Sequence, residues 1–426
     1  MGALRIAVGV LIVSTLFFPW LQPATLVAQG TTPDQSIQLY QRMLRRNPAD
    51  ARAYYRLGDA YIQKARESGD LTFFNLAEQT LRKALELHAP FADARRHLAF
   101  VLYARHDFAG AAREAATAIQ LNPTDGHAHG ILGDAYLEVG KYDQARETYE
   151  TMLRLQADLY AYSRLAGLKS LHGDAKGAIE DLERAIRLGK AEARPRESIA
   201  WAQWQLGQEH FVLGHLPQAE ASYLEALATY PNYYRALAGL AQVRTAQDRY
   251  PDAIALYQQA LAIIPMPEYA AALGDIYATL ERHEEAHKQY ALVEYIGYLN
   301  SLNKILYNRE LGYFYADHDL KPGEALELAR KELEVRQDIY AYDVLAWALY
   351  KNGKAAEALP AIREALKLGT QDARLLFHAG MIYHALGQSD LARQHLSRAL
   401  ALNPHFQLLQ AELAQRTLRA LKGEQP

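Results

Sequence analysis

Residues 126–150 read GHAHGILGDAYLEVGKYDQARETYE. The stretch carries a Leu132-Gly133 pair and, twelve residues after the glycine, Ala145. Between them, Gly140-Lys-Tyr-Asp-Gln-Ala145 supplies a break and then the opening of a second helix. A small residue on each of two helices lets their backbones approach closely, and Tyr136 and Tyr149 are large enough to fill the flanking space. One such hairpin cannot cover its own apolar face, so it needs copies of itself on either side.

The copies are present. Counterparts of Ala145 fall at Ala77, Ala111, Ala178, Ala219, Ala253, Ala286, Ala325, Ala358 and Ala392, and most intervals are 33 or 34 residues. Counterparts of Leu132-Gly133 are Leu57-Gly58, Leu98-Ala99, Leu165-Ala166, Leu206-Gly207, Leu240-Ala241, Leu273-Gly274, Leu311-Gly312, Leu345-Ala346 and Ala379-Gly380. A second Ala usually follows seven residues after the first, as at Ala84, Ala118 and Ala185. Pro123, Pro231, Pro265 and Pro404 close units, because proline cannot continue a helix past its first turn.

On these residues the chain resembles the tetratricopeptide repeat family, whose period is 34 residues. The resemblance covers residues 51–404 in ten units, and the protein looks like an exported bacterial member. It implies an all-α fold: a right-handed α-solenoid of about ten helix-turn-helix repeats with a terminal capping helix. Residues 29–50 read as a linker and N-terminal cap helix, and 405–426 as a C-terminal capping helix and tail. A length of 426 residues, which at about 150 per domain would suggest two or three domains, is thereby recast as one stack.

Composition narrows the function. Lys and Arg total 46 against 49 Asp and Glu, so there is no basic excess to neutralise nucleic acid. The absence of cysteine removes disulfides, thiolate metal sites and cysteine nucleophiles. Tyr outnumbers Phe 28 to 11, which points to rings at half-wet surfaces where the hydroxyl reaches water. Residues 1–28 read as a signal peptide: Arg5, the uncharged apolar run Ile6 to Phe18, and Ala28 at the cut. The alternative is an uncleaved anchor, which would be the protein's one membrane contact. The expected location is therefore periplasmic or secreted.

The period breaks in three places. Arg66 to Phe73 adds about seven residues, and further excess lies at 189–198 and at 295–307. These read as lengthened helices or ordered loops, with 189–198 open to a joint between domains. An internal echo, Asp158-Leu-Tyr-Ala-Tyr162 and Asp338-Ile-Tyr-Ala-Tyr342, places an aspartate to cap each following helix. It reads either as shared packing or as two equivalent tyrosine stations.

His283-Glu284-Glu285-Ala286-His287 is a literal H-E-x-x-H, which on a helix binds zinc in metalloproteases. The repeat register accounts for it instead, since Ala286 is the small residue of its unit and the flanks are charged. A zinc-dependent hydrolase stays a remote alternative. With no other catalytic motif and the repeats taking almost the whole chain after residue 28, no enzyme and no cofactor is expected.

The resemblance places ligands on the first helix of each unit, at its second, fifth, ninth and twelfth residues. The groove set is Tyr55, Arg96, Phe100, Tyr103, Tyr160, Trp201, Trp204 and Phe211, then Arg309, Tyr313, Tyr340, Trp347, Tyr350 and Phe377. The same rule selects Arg235 and Asp275. Tyr, Trp and Arg dominate binding hot spots, although any one of these rings can equally serve packing between helices. The expected function is a non-catalytic scaffold or assembly factor acting outside the cytoplasm on a protein or peptide ligand, with an envelope or secretion complex as its setting. The alternative is a tetratricopeptide component of a polysaccharide synthesis or secretion machinery.

Overall fold

The structure, a computed structural model, describes residues 32–302 and 308–423. The reading of residues 1–28 lies outside them. Every regular element among the described residues is a helix. Helix α1 (Pro33–Arg46) precedes ten hairpins. They pair α2 (Ala51–Ser68) with α3 (Thr72–Leu87), α4 (Ala92–Ala104) with α5 (Phe108–Leu121), and α6 (Gly126–Glu138) with α7 (Tyr142–Leu155). Next come α8 (Leu159–Leu171) with α9 (Ala175–Ala191), α10 (Arg196–Val212) with α11 (Leu216–Thr229), and α12 (Tyr234–Ala246) with α13 (Tyr250–Ile263). Then α14 (Pro267–Thr279) precedes α15 (His283–Leu302), and α16 (Asn308–Asp317) pairs with α17 (Pro322–Val335). The last hairpins are α18 (Ile339–Lys351) with α19 (Ala355–Leu366) and α20 (Ala373–Ala385) with α21 (Ser389–Leu402), followed by α22 (Leu408–Lys422). No described helix is long and apolar enough to cross a membrane.

The small residues do what the pattern requires of them. The second-helix Ala is 0% exposed in nine of the ten units and 4% exposed at Ala286. On the first helix, a Cβ added to Gly133 would lie 2.4 Å from the Tyr149 ring, and at Gly207 and Gly274 the same test meets Tyr223 and Tyr290 at 2.4 and 2.5 Å. Each ring therefore lies flat on a bare backbone. Its hydroxyl then donates to the ninth residue of the repeat unit: Tyr149 to Asp134 at 2.8 Å, Tyr223 to Gln208 at 3.1 Å and Tyr290 to Asp275 at 2.9 Å.

The turn between the two helices of a hairpin passes through a left-handed residue. Gly69, Gly140, Gly173, Gly214, Gly353 and Gly387 supply it in six units, and His106, Asp248, Glu281 and Asp319 in four, with Lys321 a second one between α16 and α17. Thr32 and Gln35 form a capping box at α1, while Asp50, Asp107, Asp125 and Asp174 cap α2, α5, α6 and α9. Asp158 accepts from the amides of Tyr160 and Ala161, and Asp338 from that of Ala341.

Extra residues at the period breaks are absorbed largely by longer helices. Helix α2 has 18 residues, α9 and α10 have 17 each, and α15 has 20. Helices α9 and α10 pack on one another across 189–198. Part of the 295–307 run lies outside the described residues.

The chain divides into two compact units, one of residues up to 161 with the 299–306 segment, the other of 162–298 and 307 onward. In the first unit, successive hairpins stack with α3 on α4 and α5 on α6. The second unit also closes on itself. The Gln371 side chain donates to the Gly173 carbonyl at 2.9 Å, Thr370 donates to the Leu171 carbonyl, and Asn403 Nδ2 donates to the Phe211 carbonyl at 2.7 Å. Linkers after α19 and α21 thus meet the ends of α8 and α10, nearly 200 residues away in the chain. Helix α22 packs on α14, α20 and α21.

Candidate functional site

The first helices of the second unit bring two arginines onto beds of aromatic rings. Arg235, second residue of its repeat, is 5% exposed, and its guanidinium carbon lies 5.0 Å from the Trp204 ring centre and 5.1 Å from that of Tyr234. Arg374, at the same position in the last repeat, lies 4.3 Å over Tyr313 and 6.0 Å from Tyr340. Rings hold a planar cation through their negative faces while leaving its edge N–H groups free to donate.

The second unit also carries carboxyls. Glu268 is exposed on α14, where Arg235 favours its charged form. Burial lifts the Glu209 carboxyl to about 7, against the Ser170 hydroxyl that donates to it at 3.0 Å. Burial also raises Glu310, whose Oε2 is buried without a hydrogen-bond partner among the described residues.

Other charges are internally satisfied. Arg309, fifth residue of its repeat, pairs with Glu332 at 3.1 Å and with Asp338 at 2.6 Å. Arg336 pairs with the same Glu332 at 2.9 Å. Burial opposes ionisation of Glu332, but the two arginines outweigh it and hold the carboxyl below its ordinary range. Asp343, fully buried, accepts from Tyr313 at 2.7 Å and meets His378 Nδ1 at 2.9 Å. Burial again opposes its charge, and His378 outweighs burial to hold it low.

The predicted groove residues divide by environment. In the first unit, Tyr55 is 2% exposed and packs against Phe91 and His97 at ring distances of 5.0 and 4.9 Å. Arg96 sits near Asp93 and near Asp125, the cap of α6, at 3.2 and 3.4 Å. Phe100 packs edge-on to Phe74, Tyr103 donates to Glu138 at 2.9 Å, and Tyr160 lies against His127. In the second unit, Trp201, Trp204, Phe211 and Phe377 are buried. Trp347 donates to Asp317 at 2.8 Å and stacks on His378 and Tyr350 at 4.1 and 4.9 Å. Tyr340 and Tyr350 are half-buried. Most of the set thus packs between helices. Arg374, Glu268 and Glu209 stand outside the set, although Arg374 occupies the repeat's second position and that rule would have found it.

The H-E-x-x-H lies at the exposed start of α15: His283, Glu284 and His287 face solvent and only Ala286 turns inward. Among the described residues no three His, Asp or Glu side chains gather to hold a metal ion.

Comparison with known proteins agrees with the helical architecture. Models described as "Tetratricopeptide repeat" match residues 25–68, 205–267 and 344–405, and a second such model matches 102–171. The human protein O-mannosyl-transferase TMTC1 is 27% identical over 214 residues, which are 49% of this chain and 24% of that protein. The match thus spans about a quarter of that relative. Yeast Tom70 is similar in structure over 92% of both chains, at 14% identity and a TM-score of 0.40. YrrB, described as a TPR protein with an unusual peptide-binding site, is similar over 44% of this chain and 94% of its own, at 19% identity and a TM-score of 0.30. Ten hairpins in register and family models over more than half its length place this chain in the tetratricopeptide repeat family.

Proposed function

We propose that the protein is a non-catalytic scaffold that acts outside the cytoplasm and holds a protein or peptide segment within the second unit. The observation that carries this reading is the pair of arginines on aromatic beds, Arg235 on Trp204 and Tyr234 and Arg374 on Tyr313 and Tyr340. Arginine and aromatic side chains together are the side-chain types that anchor protein interfaces. The export part of the reading rests on residues 1–28, and an envelope or secretion complex is its natural setting.

The test is capture of partners from a native envelope extract with the protein and with an Arg235→Gln, Arg374→Gln variant. A specific protein retained by the first and lost by the second supports the scaffold. Equal recovery by both places the binding surface elsewhere. Arg235 is as buried as Trp204, both 5% exposed, so circular dichroism must show the variant folded before its loss of a partner counts. Retention of glycans in place of proteins would favour the polysaccharide-machinery alternative.

A further inference from the structure

His318 meets, at both ring nitrogens, oxygens that can only accept. On its own helix, Nδ1 lies 2.7 Å from the Phe314 carbonyl. Across to α14, Nε2 lies 2.7 Å from Asp275 Oδ1. A neutral imidazole has one N–H and satisfies one of these oxygens, leaving a lone pair aimed at the other. Only the imidazolium serves both. The site is enclosed: the His318 side chain is 9% exposed, with the Tyr290 and Phe314 rings 4.8 and 4.7 Å from its own. The charged groups around it favour the cation. Asp275 Oδ1 also accepts from the Tyr290 hydroxyl at 2.9 Å, so it is fixed between donors from α15 and α16. Asp317 stands next to His318 on α16, and its Oδ1 accepts from the Trp347 indole of α18. One turn on from Tyr290, Glu294 pairs with Lys321, and Asp319 pairs with Lys351. Burial opposes the charge on His318, but the Asp275 carboxylate, the Phe314 carbonyl and Asp317 outweigh it and hold the ring above its ordinary 6.5.

Two other buried histidines lack this double contact. His97 reaches the Asp93 carbonyl at 2.8 Å, but its Nε2 lies 3.4 Å from Asp59 and makes no hydrogen bond. His378 Nδ1 meets Asp343, while its Nε2 is buried without a hydrogen-bond partner among the described residues. Helices α14 and α16 are the first helices of the seventh and eighth hairpins, so the bond from His318 to Asp275 joins two repeats. We propose that His318 and Asp275 form a pH-set clasp: the imidazolium holds α16 to α14, and its deprotonation as the medium turns alkaline loosens that joint. The sign follows from the raised value. The clasp's contribution is complete below about 6.5 and is lost as pH rises through the folded-state value above it. Repeat stability sums unit and interface terms, so the loss falls on this interface first. The clasp goes beyond the scaffold reading and acts whatever the second unit holds.

Two measurements test it on the full chain carrying Glu209→Gln, which removes the proton linkage of Glu209 between 4.5 and about 7. The first is the side-chain nitrogen shifts of labelled histidine, with His318 identified by the signal that His318→Gln removes. Both nitrogens should be protonated at about pH 6, and one proton should leave as pH rises. Asp275→Asn should lower that titration by at least about one pH unit. The second is amide hydrogen exchange, corrected for its intrinsic pH dependence. Between about pH 6 and about pH 9, exchange in α14 and α16 should quicken about tenfold while the first unit stays level. His318→Gln and Asp275→Asn should show the faster exchange already at about pH 6 and no further rise. Circular dichroism checks that each variant is folded. A singly protonated His318 at about pH 6, or a parent-like exchange profile in either variant, overturns the clasp. The parent's profile decides even where a variant does not fold: level exchange in α14 and α16 up to about pH 9, or equal quickening throughout the second unit, overturns it as well.

Discussion

Gly133→Ala is the sharpest probe of how the repeats are held together. An alanine in a helix interior ordinarily stabilises by about 1 kcal/mol relative to glycine. Here its Cβ would lie 2.4 Å from Tyr149 Cε1 and 2.6 Å from Cδ1, and Tyr149 is 1% exposed. Overpacking of this kind costs about 1–3 kcal/mol. Moving the ring also strains its 2.8 Å hydrogen bond to Asp134, a carboxylate that is 3% exposed. Losing such a charge-assisted bond costs about 1.5–3 kcal/mol. The net expectation is a loss of about 2–4 kcal/mol, the propensity gain included. Urea unfolding gives the size, and hydrogen exchange in α6 and α7 shows whether the loss is local, since repeat stability sums nearest-neighbour terms. The two effects should couple: Tyr149→Phe should cost about 1–2 kcal/mol in the native background and almost nothing beside Gly133→Ala. Ala241 shows the alternative geometry. There Ala replaces the glycine opposite Tyr257, and Gln242 Oε1 is buried without a hydrogen-bond partner among the described residues. A neutral or stabilising Gly133→Ala, or additive costs in the double variant, would refute this account.

Three further outcomes follow from particular residues. Glu281 is exposed and holds a left-handed turn at φ 57°, so Glu281→Gly should stabilise by about 0.5–1 kcal/mol in thermal unfolding, while Gly140→Ala at φ 72° should destabilise. Asn403→Ala should cost about 0.5–1.5 kcal/mol, because it removes the buried side-chain bond to the Phe211 carbonyl while the Gly214 amide still donates there, and exchange should quicken at the ends of α10 and α21. Glu209 is raised in the folded state from 4.5 to about 7, so the folded chain binds the extra proton between those values and stability falls as pH rises through that window. Glu209→Gln should remove that part of the slope, matching the parent near pH 5 and exceeding it near pH 8 in urea titrations.

The repeat was legible because its determinants are steric and local. A glycine or alanine opposite a large ring, an alanine on the second helix and a breaker at the turn are visible as letters at fixed spacing. The turn residue was less legible, since His106, Asp248, Glu281 and Asp319 occupy a conformation that glycine would have advertised. The groove was legible only in outline. Which face a first-helix residue shows depends on repeat stacking, and Trp201, Trp347 and Phe377 are 1%, 1% and 0% exposed although they sit at groove positions. The closure of the second unit joins residues nearly 200 apart and leaves no periodic signal. Part of the tyrosine excess is the repeat's own packing demand: Tyr149 and Tyr223 are 1% and 0% exposed, and each spends its hydroxyl on a first-helix partner, Asp134 and Gln208.

The same logic separates structural from ligand-facing charge. A buried hydroxyl or guanidinium is tolerated only where something satisfies it. Tyr149 and Tyr290 satisfy the requirement with an aspartate one helix away, and Arg96 and Arg309 with the cap of the next hairpin. Substituting those residues should lower stability and leave any binding constant of the surviving folded protein little changed. Arg235 and Arg374 lie on rings, Arg235 bonds the Tyr234 side chain and Arg374 has Asp372, Asp343 and Asp317 nearby, but among the described residues neither has a carboxylate at ion-pair distance. Replacing either with methionine should therefore cost little stability, because an apolar chain of similar length packs on the same rings while the desolvation penalty of the charge disappears. A fall in stability as large as that from Arg309→Met would mean that the ring-bedded arginines are structural too, and the distinction would fail.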